Sequence, residues 1–297
     1  MTENATQAAV AAARDLGLTV TDPKVLYDAF SVVVHLKPSP VVARVPMNLP
    51  DYLMNVEVAV RRQQRELDVA AWLAARHQQV VVPSHLEPVE RDGFTMTFWQ
   101  YVEESGEVDY LASTVRAAEL HAVLADYPEE LPWLTPLLAV PSGLASLEAV
   151  PGLLEQEDID RARAEWDVLQ SVLTSRAGFE AVFPSATVQT IHGDAPSYNV
   201  IPTADGVLWA DFEDTTCGPI EWDMAGFGPD LGKVYNEAAA AMDRPLLDER
   251  VQRVMDTARV LQVMVCTPLV PQLPSLGDGI RMFVGQWRSM PFAGGLS

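Results

Sequence analysis

Apolar residues in the first hundred positions follow strand-like patterns in three places. Residues 24–46 contain two runs rich in Val, Leu and Phe that are separated by KPSP, and this pattern predicts two strands joined by a turn. Residues 79–83 and 93–102 are predicted to form further strands. Between these strands, apolar residues recur at helical spacing through residues 52–77, with Asp51 as a candidate N-cap. The first part of the chain is therefore predicted to combine a small sheet with a helix.

Helical patterns dominate the rest of the chain. Helices are predicted around residues 109–125, 156–175 and 246–266. The change of pattern near residue 103 predicts two domains, residues 1–102 and residues 103–297.

Composition narrows the class of protein. The 297 residues are 48% hydrophobic, which is enough to bury a substantial core. No apolar run reaches the roughly 18 to 20 residues of a membrane-spanning helix, and the N-terminal residues lack the basic start and apolar stretch of a signal peptide. We therefore expect a soluble, cytoplasmic protein. The two cysteines, Cys217 and Cys266, are too few for a disulfide framework or a zinc site.

Negative charge is concentrated in the second domain. The formal net charge of the chain is −21, and residues 103–297 hold 11 basic and 30 acidic residues, a net charge of −19. Such a surface repels nucleic acid and anionic membranes, so neither is expected as a partner, and it attracts cations. Solubility is the simplest interpretation of this charge, and a cationic small-molecule partner is the alternative that bears on function.

Candidate chemistry lies in residues 187–225, whose pattern predicts strand, polar loop, strand, turn, strand, loop and helix. Asp194 follows an apolar stretch, Asn199 comes five residues later, and Asp211 ends the strand-like run GVLWAD. Phosphoryl transfer requires a carboxylate that accepts the proton of the acceptor hydroxyl, and hard oxygen ligands for Mg²⁺. Asp194 suits the first role, and Asn199 and Asp211 suit the second.

Three motifs in this segment resemble those of the aminoglycoside phosphotransferase and choline kinase-like family. His192-Gly193-Asp194 with Asn199 resembles the family's HGD-x4-N catalytic loop, and Asp211-Phe212-Glu213 resembles its metal-binding strand end. Residues 218–225, GPIEWDMA, resemble the family's G-D-P-x-x-D-L-A motif. The resemblance implies that Asp223 hydrogen-bonds the catalytic loop and that His192 braces it.

The same resemblance implies an α+β, bilobal protein kinase-like fold, with a small sheet-bearing N-lobe and a larger, mostly helical C-lobe. ATP is then expected between the lobes, with its adenine hydrogen-bonded to backbone in a linker near residues 100–104. Gln100 and Val102 are the candidate residues there. The loop that would cover the phosphates, within DAFSVVVHL, contains no glycine.

A basic residue on the third strand, paired with a helix carboxylate, holds phosphates in kinase-like folds. None of the three lysines, Lys24, Lys37 and Lys233, lies in a strand-like run followed by a helix, whereas Arg44 in VVARV does. Glu57 and Glu66 are the candidate partners of Arg44. These two residues are nine positions apart and face opposite sides of a helix, and the pattern around Glu66 resembles the family's helix more closely.

The expected activity is an ATP- and Mg²⁺-dependent transfer of phosphate to a hydroxyl of a small molecule. A cationic acceptor such as an amino sugar, aminoglycoside or amino alcohol would suit the acidic second domain, and Glu213, Asp214 and Glu221 are candidate residues for binding it. Two alternatives stay open. One is a non-catalytic nucleotide-binding protein with the same fold, suggested by the missing glycines, and the other is a kinase for a neutral sugar or another metabolite.

Overall fold

The computed structural model describes residues 1–50, 53 and 55–296. The candidate N-cap Asp51 lies outside the described residues. The chain forms two compact units. The first comprises residues 1–108 and 200–213, and the second comprises residues 109–199 and 214–297. Residues 200–213 therefore belong to the first unit, although the chain on both sides of them belongs to the second.

An antiparallel five-stranded sheet is the centre of the first unit. Its strands are β1 (Val20–Asp28), β2 (Ser31–Pro38), β3 (Val41–Pro46), β4 (Val89–Arg91) and β5 (Phe94–Gln100), arranged in the order β1-β2-β3-β5-β4. The two strands predicted in residues 24–46 are confirmed as β2 and β3, with the KPSP turn between them, and β5 confirms the strand predicted at 93–102. The additional strand β1 was not separated from β2 in the prediction because the turn between them, Ala29-Phe30, contains none of the usual turn residues.

Helix α1 (Thr2–Asp15) packs on one face of this sheet. Five alanines of α1, including Ala5 and Ala9, are buried against Val34 and Val45 of the sheet. Alanine has a small side chain, so the helix backbone can approach the strands closely. Successive strand residues point to opposite faces, which places Arg44 on the face opposite Val45. The sequence analysis did not predict this helix, although its buried alanines recur at helical spacing.

Helix α2 (Val56–Ala74) confirms the predicted second helix. Its N-cap is Asn55, whose side chain accepts hydrogen bonds from the backbone N–H groups of Glu57 and Val58. A hairpin of β7 (Val200–Thr203) and β8 (Gly206–Trp209) completes the first unit.

The strand predicted at residues 79–83 is wrong. This segment is extended but forms only isolated bridges, from Val80 to Trp209 and from Pro83 to Trp99. The backbone N–H of Val81 donates to the carbonyl of Trp209, and the carbonyl of Val82 accepts from Gln100. Its hydrogen bonds are thus divided between β8 and β5, and Pro83 has no N–H to extend either ladder.

The second unit is mostly helical. Its helices are α3 (Tyr110–Leu124), α4 (Val140–Leu144), α5 (Gln156–Leu173), α6 (Arg176–Val182), α7 (Gly228–Ala241), α8 (Glu249–Met264) and α9 (Ser275–Trp287). The three predicted helices are confirmed as α3, α5 and α8. None of the described helices is long and apolar enough to cross a membrane.

A short antiparallel pair, β6 (Val188–Ile191) and β9 (Thr216–Pro219), frames the segment with candidate chemistry. The prediction of a helix after the last loop of this segment is wrong, since residues 216–222 form β9 and then a 3₁₀ turn, Ile220–Trp222. The sequence TCGP has no strand-like alternation, and its backbone becomes a strand because it pairs with β6.

Candidate active site

Arg44 is surrounded by carboxylates in the first unit. Its guanidinium lies 3.0 Å from Glu66 Oε2, 2.9 Å from Asp211 Oδ1 and 3.1 Å from Glu213 Oε1. Glu66 comes from α2, while Asp211 and Glu213 follow β8. Glu57, the other candidate, is exposed and lies 3.7 Å from Arg61 on the same helix. Arg44 therefore pairs with Glu66 and not with Glu57.

Glu213 is held by further arginines of α2. Arg62 lies 3.2 Å from Glu213 Oε1, and Arg65 donates two hydrogen bonds to the Glu213 backbone carbonyl, at 2.7 and 3.2 Å. Burial works against ionisation of Glu213, but the attraction of Arg44 and Arg62 is stronger in sum and lowers its pKa. For Glu66, burial is the dominant effect and raises the pKa. The negative charges of Asp211 and Glu213 raise it further, and the attraction of Arg44 opposes them.

A cavity of about 360 Å³ lies in the first unit beside this cluster. Arg44, Glu66, Gln100, Val102 and Asp211 all line it, so the structure brings together the candidate nucleotide-binding residues of this unit. The other lining residues are mostly apolar, and they are Leu26, Tyr27, Val33, Val42, Val81, Trp99, Glu104, Ile201, Ala210 and Phe212. Its size and its apolar wall with few charged groups are typical of small-molecule sites.

The glycine-free turn between β1 and β2 is fastened to the end of β3. The backbone carbonyl of Ala29 accepts a hydrogen bond from Asn48 Nδ2 at 2.6 Å, and the carbonyl of Phe30 accepts one from the backbone N–H of Met47 at 2.8 Å. Leu26 and Tyr27, which precede this turn, line the cavity. Hydrogen bonds to the end of β3 therefore fix this turn, which differs in this respect from a flexible glycine-rich loop.

Asp211 has an unusual backbone conformation. Its φ is 65°, in the left-handed region that residues other than glycine rarely adopt. Such conformations cost about 1 to 3 kcal/mol and cluster at functional sites. About a third of the Asp211 side chain is exposed, so its carboxylate is accessible from outside the Arg44 cluster.

In the second unit, Asp223 fixes the loop that carries Asp194. The fully buried Asp223 carboxylate accepts hydrogen bonds from the backbone N–H groups of His192 and Gly193, both at 2.8 Å. His192 is also buried, and its Nδ1 accepts a hydrogen bond from the Asp194 N–H at 3.3 Å. The geometry expected of these two supporting residues is therefore present.

Only glycine can occupy position 193 in this loop. Its φ is 88°, and a Cβ atom there would lie 1.9 Å from the backbone oxygen of Asp214. Both the left-handed conformation and the close approach require glycine. The backbone carbonyl of Gly193 accepts a hydrogen bond of 2.6 Å from Trp222 Nε1.

Asp194 itself is partly exposed, with 43% of its side chain accessible. The amide nitrogen of Asn199 donates to the backbone carbonyl of Asp194 and, at 3.3 Å, to its Oδ2. Arg259 of α8 lies 3.2 Å from the other carboxylate oxygen, Oδ1. The structure thus places Asp194 and Asn199 together and adds a basic residue from a distant helix.

Sequence reasoning missed three residues of the second unit. Arg259 is one, and the other two, His121 and Tyr235, form a buried chain with Asp223. His121 Nε2 lies 2.8 Å from Asp223 Oδ2, and His121 Nδ1 lies 2.8 Å from the Tyr235 hydroxyl. Burial opposes ionisation of Asp223, but the hydrogen bond and charge of His121 help to lower its pKa. The available signal was the helical spacing of His121 with Ala117 and Leu124, which places a histidine on the buried face of α3.

Two of the three candidate acceptor-binding residues are in unsuitable surroundings. Glu213 is buried among arginines, as described above, and only 1% of Glu221 is exposed. Glu221 Oε1 accepts a hydrogen bond of 2.7 Å from the backbone N–H of Asp248. Neither carboxylate is free to bind an acceptor from solvent, so the expectation for Glu213 and Glu221 is corrected. Asp214 is half-buried, and its role stays a prediction.

The donor set fits a magnesium ion in its chemistry. The amide nitrogen of Asn199 faces Asp194, so its amide oxygen points away from Asp194. The side chain of Asp211 is partly exposed. Both are the hard oxygen ligands that Mg²⁺ prefers. Asp211 belongs to the first unit and Asn199 to the second, and each stays a predicted ligand.

No protein-family model and no curated protein matches this sequence. Solved structures do resemble it. An aminoglycoside 2′-phosphotransferase-IIIa in complex with GDP is 14% identical with a TM-score of 0.62, and the match covers 94% of this chain and 96% of that one. A choline/ethanolamine kinase family protein from Mesorhizobium loti is 14% identical with a TM-score of 0.60, covering 99% and 97%.

A microcompartment-associated aminopropanol kinase is 15% identical with a TM-score of 0.61, and the match covers 97% of this chain and 99% of that chain. Identities this low establish the fold and leave the activity to be argued from the site. The predicted resemblance and the predicted fold class are confirmed at that level. The chain has the α+β protein kinase-like fold of aminoglycoside phosphotransferases and choline kinases.

Proposed function

We propose that this protein transfers the γ-phosphoryl group of ATP, with Mg²⁺, to a hydroxyl group of an amine-bearing small molecule. The observation that carries the proposal is the environment of Asp194. Its carboxylate is partly exposed, while its backbone lies in a loop fastened by the buried Asp223. A catalytic base needs both an accessible proton acceptor and a fixed position.

In the proposed reaction, Asp194 accepts the proton of the acceptor hydroxyl. The hydroxyl oxygen forms a bond to the γ-phosphorus, the bond from that phosphorus to the bridging oxygen breaks, and ADP leaves with the bonding electron pair. Asn199 holds the Asp194 carboxylate by its amide nitrogen. Bound Mg²⁺ would neutralise phosphate charge, with Asp211 and Asn199 as its protein ligands.

The cavity of the first unit is the proposed nucleotide site. Its apolar wall suits a purine base, and the backbone at Gln100 and Val102 is the proposed hydrogen-bonding edge for that base. Arg44 is the proposed phosphate-binding residue, and its ion pair with Glu66 has the pattern of the strand basic residue and helix glutamate of protein kinases. Because one structural neighbour was solved with GDP, GTP belongs beside ATP in any test of the donor.

Two observations support an amine-bearing acceptor. The three structural neighbours described above are named for aminoglycosides, choline or ethanolamine, and aminopropanol, which are all hydroxyl compounds with a nitrogen centre. Residues 103–297 carry a net charge of −19, which attracts cations. With Glu213 and Glu221 buried, Asp214 is the remaining named candidate for contact with the amine.

The test is a panel of acceptors assayed for ADP release in the presence of ATP or GTP and Mg²⁺. The panel contains aminoglycosides, choline, ethanolamine and aminopropanol, together with neutral sugars and anionic hydroxyl compounds. We expect an amine to give the highest rate, with a KM that rises with salt because screening weakens partly exposed charge pairs over about 8 to 10 Å. Asp194→Asn should abolish transfer and leave nucleotide binding intact.

Two outcomes would contradict the proposal in different ways. A neutral or anionic compound that outperforms every amine, with a KM indifferent to salt, would refute the amine-bearing acceptor and favour a kinase for another metabolite. Thermal stabilisation by nucleotide without turnover of any acceptor would favour the non-catalytic alternative. Equal turnover in wild type and Asp194→Asn would remove Asp194 from the mechanism.

A further inference from the structure

Arg259 is buried, whereas the Asp194 carboxylate that it contacts is partly exposed. It lies in α8, 65 residues from Asp194 along the chain, and its Nη1 is 3.2 Å from Asp194 Oδ1. Only 6% of the Arg259 side chain is exposed, against 43% of the Asp194 side chain. A buried guanidinium thus reaches the proposed catalytic base from the protein interior, while the base stays open to solvent.

The guanidinium is fixed in place by Trp222. It lies over the indole ring at 4.1 Å from the ring centroid, and its Nη2 donates to the Trp222 backbone carbonyl at 3.3 Å. Nη1 also lies 3.3 Å from Gln262 Oε1. Stacking on an aromatic ring and a planar set of donors restrict arginine to one orientation. Arg259 is therefore a rigid donor.

The same indole also fixes the backbone next to the base. Trp222 Nε1 donates to the carbonyl of Gly193, the residue immediately before Asp194. One side chain thereby sets both the position of the Asp194 backbone and the position of the guanidinium that binds its side chain. Since Asn199 contacts Oδ2 and Arg259 contacts Oδ1, the Asp194 carboxylate is held from two directions.

A requirement for stability alone does not account for an arginine here. Burying a guanidinium is costly, and replacing a buried ion pair with apolar side chains is often neutral or stabilising. The charge and the fork of donors are, by contrast, what a carboxylate needs in order to keep one rotamer.

We propose that Arg259 is a positioning residue, which holds the Asp194 carboxylate in the orientation that accepts the proton of the acceptor hydroxyl. This inference rests on the proposed function. It assigns Arg259 no contact with the nucleotide or the acceptor. Its loss should therefore lower kcat and leave both KM values nearly unchanged.

The experiment compares Arg259→Ala, Arg259→Lys and the matched control Arg253→Gln, using the full chain and the best acceptor found in the panel. Arg253 lies on the same helix and is exposed. We expect kcat of Arg259→Ala to fall about 100-fold, the size of effect that a small misplacement of a catalytic group causes. KM values should change less than about threefold, Arg259→Lys should retain intermediate activity, and Arg253→Gln should match wild type.

Chemical rescue separates positioning from a structural role. Millimolar guanidinium chloride should restore part of the kcat of Arg259→Ala and should not restore Asp194→Asn, which lacks the base itself. Thermal unfolding of each variant identifies one that fails to fold, and Arg259→Lys then carries the test.

Each outcome has a distinct meaning. A folded Arg259→Ala with wild-type kcat would overturn the inference and leave the proposed function intact. A rise in either KM with kcat preserved would also overturn it, because Arg259 would then be a binding residue. Activity in Asp194→Asn equal to that of wild type would refute the proposed function and this inference with it.

Discussion

The carboxylate of Asp223 lies 2.8 Å from Nε2 of His121, and both side chains are buried in the second unit. The same carboxylate accepts hydrogen bonds from the backbone N–H groups of His192 and Gly193. Replacing it with the amide of Asn would place N–H against N–H. We expect Asp223→Asn to lower the free energy of unfolding by about 3 to 5 kcal/mol, the cost of breaking a buried pair from one side, and to lower kcat.

The pH dependence of that loss follows from the lowered pKa of Asp223. A carboxyl whose pKa is lower in the folded protein contributes stability that is fully present above its unfolded value of 3.8 and is lost as the pH falls further. Urea unfolding of wild type and Asp223→Asn should therefore differ most at neutral pH and converge below about pH 4. Asp126→Asn, at an exposed position, is the control and should change stability by less than about 0.5 kcal/mol. Equal stability of wild type and Asp223→Asn at pH 7 would contradict the bracing role.

The Arg44–Glu66 pair predicts a selective effect on nucleotide binding. Arg44→Lys keeps a positive charge but loses the fork that contacts Glu66, Asp211 and Glu213, so the KM for ATP should rise several-fold while the acceptor KM stays constant. Arg44→Ala should raise the KM for ATP further.

Glu66→Gln should follow Arg44→Lys in direction, since it changes the carboxyl group that contacts Arg44 at 3.0 Å into an amide, whose nitrogen cannot accept from the guanidinium. Glu57→Gln is the matched control on the same helix, because 84% of its side chain is exposed and it should behave as wild type. Steady-state kinetics at fixed acceptor concentration measure all four variants. An unchanged KM for ATP in Arg44→Ala would move the phosphate-binding role to another residue, with Lys37 the next candidate.

Asp211→Ala should weaken binding of the Mg²⁺–nucleotide complex by at least about tenfold, because a proposed metal ligand is lost. Binding of nucleotide without metal should change little, since Arg44 keeps Glu66 and Glu213 as partners. Calorimetric titration with and without Mg²⁺ measures both quantities. Asp205→Ala, at the exposed turn between β7 and β8, is the control. A loss of equal size with and without Mg²⁺ would argue against a metal ligand and for a purely structural role of Asp211.

For Glu221 we expect a pH dependence of stability that is opposite in sign to that of Asp223. Burial raises its pKa to about 7, above the ordinary value of 4.5. Among the described residues its Oε2 finds no hydrogen-bond partner. The folded protein then binds more protons than the unfolded chain between these two pH values, so wild-type stability falls as the pH rises from 4.5 to about 7.

Glu221→Gln keeps the shape and removes this penalty. We expect it to stabilise the protein by up to about 3 kcal/mol at pH 8 and by much less near pH 5. Denaturant unfolding at both pH values measures the difference, with Glu129→Gln at an exposed position as control. A destabilised Glu221→Gln at pH 8 would show that the charged form is the favoured one in the folded protein.

The sequence by itself determined the elements with strong local patterns and the residues of the loop that carries Asp194. In strands β2 and β3, apolar residues alternate with polar ones or form short continuous runs between turn residues. In helices α3, α5 and α8, apolar residues recur at helical spacing. These local patterns were enough to predict the five elements. Asp194, Asn199 and Asp223 could be predicted as site residues because they lie within 30 residues of one another at the spacings of the motifs they resemble. The close approach of Asp214 explains why position 193 is glycine.

The tertiary structure alone decided which residues become partners. Spacing placed Glu57 and Glu66 on opposite sides of α2, but the packing of that helix against the Arg44 face of the sheet selected Glu66. Burial of Glu213 and Glu221 likewise depends on α2 and on the start of α8, which are far from them in sequence. Arg259 and His121 are 65 and 102 residues from the carboxylates that they contact. Local spacing fixes the direction of a side chain on its own helix or strand, whereas contacts over such separations form only when elements pack together.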